Sequence, residues 1–166
     1  MTKLTENDLE FDFSDAISAT QFDDDSTHGS NSMKRVDFIA EYEECYRFIE
    51  VKDPDIPGAD NCEGFWEKFQ SGKLVSSLAG KYRDSILFRV LANKADKEFD
   101  YIVLLSMASL EPALLLTKQD QLHRSIPHNH SQWQLPSARN CVILNLEQYK
   151  NHFGENSVRR ISESGN

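Results

Sequence analysis

Two apolar segments separated by a short polar turn constrain the fold of this chain most. Residues 34–41 (KRVDFIAE) and 45–52 (CYRFIEVK) are rich in valine, isoleucine, phenylalanine and tyrosine, which are residue types favoured in β-strands. The turn between them consists of Tyr42, Glu43 and Glu44. Two strand-like segments joined by so short a polar connection indicate an antiparallel β-hairpin.

The length of the turn also predicts which residues of the two strands face each other. If the turn is centred on its two glutamates, Tyr42 pairs with Cys45, and the same register places Asp37 opposite Glu50. Directly opposed residues share a face of the sheet, with Cβ atoms about 4.5–5.5 Å apart. Lys52 projects to the same face as Glu50, because side chains alternate along a strand. The hairpin alone therefore brings two acids and a lysine together.

This trio of side chains has a chemical consequence. Two carboxylates at that distance repel each other, and their removal from bulk water is unfavourable. A divalent cation relieves the repulsion, and oxygen ligands of this kind suit Mg²⁺ or Mn²⁺. A lysine beside them can orient an attacking water or stabilise negative charge on a phosphate. The pattern predicts a site for metal-assisted hydrolysis of phosphodiester bonds.

The remainder of the sequence alternates between helical and strand-like periodicity. We expect an α/β fold in which the antiparallel hairpin belongs to a mixed β-sheet flanked by helices. Apolar residues recur at helical spacing in residues 72–93, whereas residues 99–107 are apolar almost throughout, as in a strand buried on both faces. The further expected elements are a short helix within residues 8–20, a strand starting near residue 19, a helix over 110–123, a strand over 141–146 and a short helix ending at 153–154.

Composition bounds the class of protein. A chain of 166 residues with 39% hydrophobic and 27% charged residues suits one globular domain. Neither a secretory signal nor an apolar stretch of membrane-spanning length is visible, and three unpaired cysteines suit reduced thiols, so we expect a cytoplasmic protein with no membrane association. The net charge of −9 argues against broad non-specific binding of nucleic acid. The charge is uneven, however, because residues 67–166 have ten acids and thirteen bases.

The hairpin residues also resemble a known family. Val36-Asp37 followed by Phe48-Ile49-Glu50-Val51-Lys52 resembles the signature of the PD-(D/E)xK nuclease superfamily, in which an acid on one strand faces E-x-K on its hairpin partner. The resemblance implies a restriction-endonuclease-like core of helix, three-stranded meander, helix and strand. It covers about residues 8–107, with residues 108–158 as a C-terminal elaboration and 159–166 as a frayed tail of one nuclease-like domain. No proline precedes Asp37, which is a departure from the signature.

The resemblance further implies roles for individual residues. Asp37 and Glu50 would be catalytic metal ligands, the backbone carbonyl of Val51 would be a third ligand, and Lys52 would be the catalytic lysine. Some family members add an acid from the first helix, for which Glu10 and Glu6 are candidates here.

Substrate-binding residues are a separate expectation. Some family members carry a polar residue on the helix after E-x-K, and Lys73, Ser77 and Lys81 are the candidates. His28, just before the hairpin, is a further candidate, although an ordinary turn explains it equally well.

These features predict a Mg²⁺- or Mn²⁺-dependent nuclease, with DNA preferred to RNA on the resemblance alone. The alternative is a catalytically inactive nuclease-like scaffold or binding protein. In either case a homodimer or a larger protein partner is expected. Two further motifs contain metal-binding side chains, but His128-Asn129-His130 and the acidic run Asp23-Asp24-Asp25 both fit solvated loops better.

Overall fold

The fold centres on a five-stranded mixed sheet with a second, three-stranded sheet beside it. The computed structural model describes residues 2–28, 32–58, 62–135 and 137–165. In chain order, the elements are β1 (Lys3–Glu6), β2 (Leu9–Asp12), β3 (Ser18–Gln21), α1 (Asp25–His28), β4 (Phe38–Glu41), β5 (Cys45–Lys52), α2 (Cys62–Gln70), α3 (Lys73–Leu91), β6 (Glu98–Leu105), α4 (Pro112–Ser125), β7 (Asn140–Leu144), α5 (Leu146–Phe153), β8 (Val158–Arg160) and a 3₁₀ turn (Ser162–Gly165).

The large sheet has the strand order β3-β4-β5-β6-β7. The first three strands form an antiparallel meander, and β6 and β7 then continue the sheet parallel to β5. The two parallel connections contain α3 and α4, as expected because a parallel crossover needs a long connecting segment. The predicted mixed α/β fold with an antiparallel hairpin is therefore confirmed.

The two faces of the large sheet are buried against different elements. One face packs against α2, α3 and α4 through a core that includes Phe48, Tyr82 and Tyr101. The opposite face packs against α5 and the small sheet of β1, β2 and β8, with Phe11 and Tyr149 in its core. The large sheet is thus the central layer, and its middle strands are buried on both sides.

Several predicted elements occupy the expected positions. The helix predicted over 72–93 is α3, the strand predicted over 99–107 is β6, and the helix predicted over 110–123 is α4, which begins with Pro112. Proline is tolerated there because the first helical N–H groups have no intrahelical partner. None of the helices in the described ranges has the length and apolar character needed to cross a bilayer.

The N-terminal helix prediction is wrong. The segment 8–20 contains β2 and the start of β3 instead of a helix. Leu9 and Phe11 are completely buried while the residues next to them are partly exposed, which is the two-residue period of a strand. Burial of this alternating pair against α5 and β8 outweighs the weak helical spacing of the segment.

The prediction of a frayed tail is also wrong. β8 pairs antiparallel with β2, and Val158 is completely buried. Arg160 donates to both carboxylate oxygens of Asp53, at 2.9 and 2.7 Å, to Ser106 Oγ at 2.7 Å and to Asp8 at 3.3 Å. We call these four residues the Arg160 cluster. Its ion pairs and the strand pairing hold the tail against the molecule.

Candidate active site

The hairpin has the predicted register. The N–H of Tyr42 donates to the carbonyl of Cys45 at 2.8 Å, and Phe38 pairs with Ile49. Continuing this register by one residue places Asp37 opposite Glu50, at the point where β4 begins. The turn length therefore determines which acids meet, as the sequence predicted.

The side chain of Asp37 takes the place of a backbone hydrogen-bond acceptor where the pairing of β4 with β5 ends. Its carboxylate Oδ2 accepts a hydrogen bond from the backbone N–H of Val51 at 2.6 Å. The carbonyl of Asp37 accepts from the N–H of Phe22 at 2.7 Å, which extends the pairing with the β3 side of the sheet. The N–H and C=O of a strand residue point toward the same neighbouring strand, so the Val51 carbonyl also lies on the Asp37 side. This places the predicted carbonyl ligand next to the acids.

Two lysines reach the acid pair from different elements. Lys52 Nζ, on β5, donates to Glu50 Oε1 at 2.5 Å and to the Val51 carbonyl at 3.2 Å. Lys81 Nζ, on α3, lies 2.6 Å from Glu50 Oε1 and 3.1 Å from Asp37 Oδ1. The structure thus brings together Asp37, Glu50, Lys52 and Lys81, which we call the central group.

The central group is buried to very different degrees. Glu50 is completely buried and Asp37 is 4% exposed, whereas the Lys81 and Lys52 side chains are 22% and 29% exposed. Burial raises the pKa of the Glu50 carboxyl, the negative charge of Asp37 raises it further, and the two lysines oppose this rise. Burial lowers the pKa of Lys81, but the attraction of Glu50 and Asp37 outweighs it and the net shift is upward.

Two more acids lie around the central group. Burial raises the pKa of Glu6 to about 7, with the negative charges of Asp37 and Asp23 adding to the shift. Burial also raises the pKa of Asp23, and Asp37 is again the largest charged contributor. Glu6 comes from β1 instead of the expected helix. In the sequence Asp23 fits a solvated loop, and only its position two residues after the end of β3 could have indicated its nearness to Asp37.

The structure does not bring every predicted residue to this place. Glu10 lies on β2 in the small sheet, where its carboxylate pairs with Lys3 and Arg159 at 2.9 and 2.8 Å. Lys73 is exposed at the start of α3, eight residues or about 12 Å along the helix from Lys81. Ser77 is partly exposed on the same helix. His28 ends α1, and its side chain lies outside the described part of the molecule.

The histidine motif at residues 128–130 and the acidic run at residues 23–25 have local partners. The ring of His128 packs against His123, with centroids 4.4 Å apart, and His130 packs against Trp133. In the acidic run, Asp25 pairs with Arg35 at 2.8 Å and Asp24 accepts from the Ser26 N–H. Nowhere in the described ranges do three or more histidine, cysteine, aspartate or glutamate side chains form a group suited to a metal ion.

The donor set of the central group fits a magnesium-like ion. Mg²⁺ is usually held by one or two carboxylates, with waters and substrate phosphates completing its shell, so it does not need three acidic side chains. Glu50 Oε2 is buried and has no hydrogen-bond partner within the described residues. A buried carboxylate oxygen of this kind carries a large desolvation cost, which a bound cation would offset. Asp37, Glu50 and the Val51 carbonyl are the residues that would hold it.

Comparisons with known proteins add little to this geometry. No protein-family model matches the chain, and no curated protein matches it either. Among solved structures, the chain is similar to the small subunit of the heterodimeric restriction endonuclease R.BspD6I, with a TM-score of 0.39 and 15% sequence identity. The similarity covers 90% of this chain and 67% of that subunit. So distant a similarity supports no conclusion about activity, which must come from the site itself.

Proposed function

We propose that this chain is a metal-dependent nuclease of the PD-(D/E)xK type, with DNA as the preferred substrate. The observation that carries the proposal is the meeting of Asp37 and Glu50 in a buried pair, with the Val51 carbonyl and Lys52 beside them. The order of meander, α3 and β6 supports it, because the resemblance implies a three-stranded meander followed by a helix and a strand.

Three residues of the central group and the Val51 carbonyl have roles in this reaction. Asp37, Glu50 and the Val51 carbonyl would hold Mg²⁺ or Mn²⁺, and the bound ion would supply a polarised phosphate and a water of lowered pKa. Lys52 is not a ligand, because a protonated ammonium group has only donors. Its ammonium group holds the attacking water and offsets the charge that develops on the phosphate oxygens. Asp37 fixes the Val51 backbone through the 2.6 Å hydrogen bond, so it also positions the carbonyl.

The decisive test is a nuclease assay that compares the wild type with Lys52→Ala. Single- and double-stranded DNA and RNA are incubated with Mg²⁺ or Mn²⁺. Loss of one donor that stabilises developing charge typically costs about 10²–10³ in rate, so cleavage by Lys52→Ala should fall by at least about a hundredfold. Lys68→Ala is the matched control, because it removes the same charge from an exposed position on α2 and should cleave like the wild type. Equal cleavage by wild type and Lys52→Ala would exclude the proposed role of Lys52.

Metal binding is tested separately by calorimetry with Mn²⁺. Asp37→Ala and Glu50→Ala should each abolish binding, and circular dichroism should show a folded protein in both cases. Binding that survives both substitutions would place the ion elsewhere and contradict the proposal.

A second candidate function is an inactive nuclease-like scaffold that acts with a partner, either a second copy or a larger protein. The contact of Lys81 with both carboxylates favours it, since an ammonium group already offsets part of their negative charge. A wild type that binds no Mn²⁺ and cleaves none of the four substrates would support this candidate over the enzyme.

A further inference from the structure

Lys81 makes a contact that Lys52 does not. Its Nζ lies 2.6 Å from Glu50 Oε1 and 3.1 Å from Asp37 Oδ1, so one ammonium group bridges both carboxylates. Lys52 reaches only Glu50 of the two acids. A divalent ion bound by the same two carboxylates would lie next to the Lys81 ammonium group, and two cations so close together repel each other.

The two acids of the central group need positive charge beside them, which the lysine ammonium groups supply. Asp37 and Glu50 are almost fully buried, and two uncompensated buried carboxylates close together are unfavourable. The two lysines balance the two acids, so these four groups sum to zero. If a divalent ion takes the place of the Lys81 ammonium group, the two acids, Lys52 and the ion carry a net charge of +1, which attracts a phosphodiester.

The geometry points to Lys81 as an internal counter-ion that competes with the divalent ion for Asp37 and Glu50. Binding is then an exchange: the Lys81 ammonium leaves the two oxygens as the ion enters. The Lys81 side chain is 22% exposed, and its ammonium group ends a flexible four-carbon chain. The ammonium group can therefore move toward solvent and the substrate phosphates. This inference rests on the proposed function and adds to it the role of Lys81 as a counter-ion.

The test uses Lys81→Met, which keeps the length and apolar stem of the side chain and removes its charge. Without added metal, the variant should unfold at a lower urea concentration than the wild type, because the two acids lose their shared counter-ion. Its affinity for Mn²⁺ measured by calorimetry should nevertheless rise on the order of tenfold, since a competing cation is gone. A gain in affinity accompanied by a loss of stability is the signature of exchange. A lysine that only supports the fold would lower both.

Two further variants keep the test decisive. Lys73→Met removes a lysine from the exposed start of α3 and should change neither quantity. Lys81→Arg keeps the charge and should retain the wild-type affinity for Mn²⁺. If Lys81→Met is unfolded without metal, its refolding by Mn²⁺ is followed by circular dichroism, and the midpoint corrected for the free energy of unfolding should give a dissociation constant below the wild-type value.

The outcomes separate this inference from the proposed function. Unchanged or weaker Mn²⁺ binding by Lys81→Met, with a wild type whose binding depends on Asp37 and Glu50, overturns the exchange and leaves the nuclease proposal standing. No binding by either protein overturns both. Binding by wild type that is insensitive to Asp37→Ala also overturns both, since the ion would then lie elsewhere.

Discussion

Two clusters of buried charge adjoin the C-terminal end of β5, and they are built in opposite ways. In the Arg160 cluster, one guanidinium group forms two parallel hydrogen bonds with Asp53 and also reaches Ser106 and Asp8. In the central group, two acids share the ammonium group of Lys81, and Glu50 Oε2 has no partner within the described residues. The first cluster is saturated with hydrogen bonds, whereas the second retains capacity for a ligand. A structural ion pair is therefore distinguished from a candidate site by whether its charged groups have all their hydrogen-bond partners, more than by how deeply they are buried.

The largest effect should come from opening the saturated cluster. Arg160→Ala leaves Asp53, whose side chain is 1% exposed, as a buried charge without its main partner. Loss of one member of a buried ion pair costs roughly 3–5 kcal/mol, and urea unfolding should show a loss of that size. Arg159→Ala is the control: its side chain is 54% exposed and pairs with Glu10, so its loss should cost at most about 1 kcal/mol. Equal losses would show that the Arg160 cluster is no more than a surface feature.

A matched pair of acid-to-amide changes sharpens the comparison. Asp53→Asn should lower the free energy of unfolding by about 1.5–3 kcal/mol, the typical contribution of a hydrogen bond to a charged group. Glu50→Gln should leave it unchanged or raise it at pH 7, because the raised pKa of Glu50 means that its charged form opposes folding. Denaturant melts of both variants under one condition test this contrast, and destabilisation by both to a similar extent would erase it.

The smallest expected effect is a change in pH dependence near Glu6. The folded protein raises the pKa of Glu6 from 4.5 to about 7, mainly by burial, so the folded state retains this proton when the unfolded state has lost it. The contribution of Glu6 to stability is therefore greatest below pH 4.5 and falls as the pH rises to about 7. Relative to the wild type, Glu6→Gln should gain stability across that interval, as measured by urea unfolding at several pH values.

The variant Glu10→Gln should change the pH dependence of stability in the opposite direction. The hydrogen bonds from Lys3 and Arg159 lower the pKa of Glu10, so its contribution is present above pH 4.5 and is lost as the pH falls. The variant should therefore lose stability near neutral pH relative to the wild type and approach it in acid. Identical pH profiles for the two variants would contradict the placement of Glu6 beside Asp37.

The hairpin could be predicted from the sequence because its determinants are local. The short turn fixes the register, and the alternation of side chains then places Asp37, Glu50 and Lys52 on one face. Their proposed roles stay predictions until metal binding and cleavage are measured. The long helix α3 was equally predictable from its apolar spacing, and Lys81 was among the candidates on it. Which of its lysines reaches the acids depends on how α3 docks on the sheet, which no local pattern encodes.

The N-terminal and C-terminal strands could not be predicted for a related reason. β2 and β8 are separated by about 150 residues, and each is too short to carry a periodic signal of its own. Their pairing is a tertiary event, and the Arg160 cluster depends on it. Helix α2 is different, because the spacing of Phe65, Trp66 and Phe69 is helical and could have indicated this helix.

The hydrogen bond between Asp37 and the Val51 N–H immobilises one side chain of the central group, while the lysine side chains keep more conformational freedom. The short side chain of Asp37 is fixed at both oxygens, by the Val51 backbone and by Lys81. Lys81 has four rotatable bonds and a partly solvated end, and full immobilisation of such a side chain costs about 1.5–2 kcal/mol. Asp37 is therefore already ordered before any ligand arrives, and most of the entropy that binding can release or consume resides in Lys81 and Lys52.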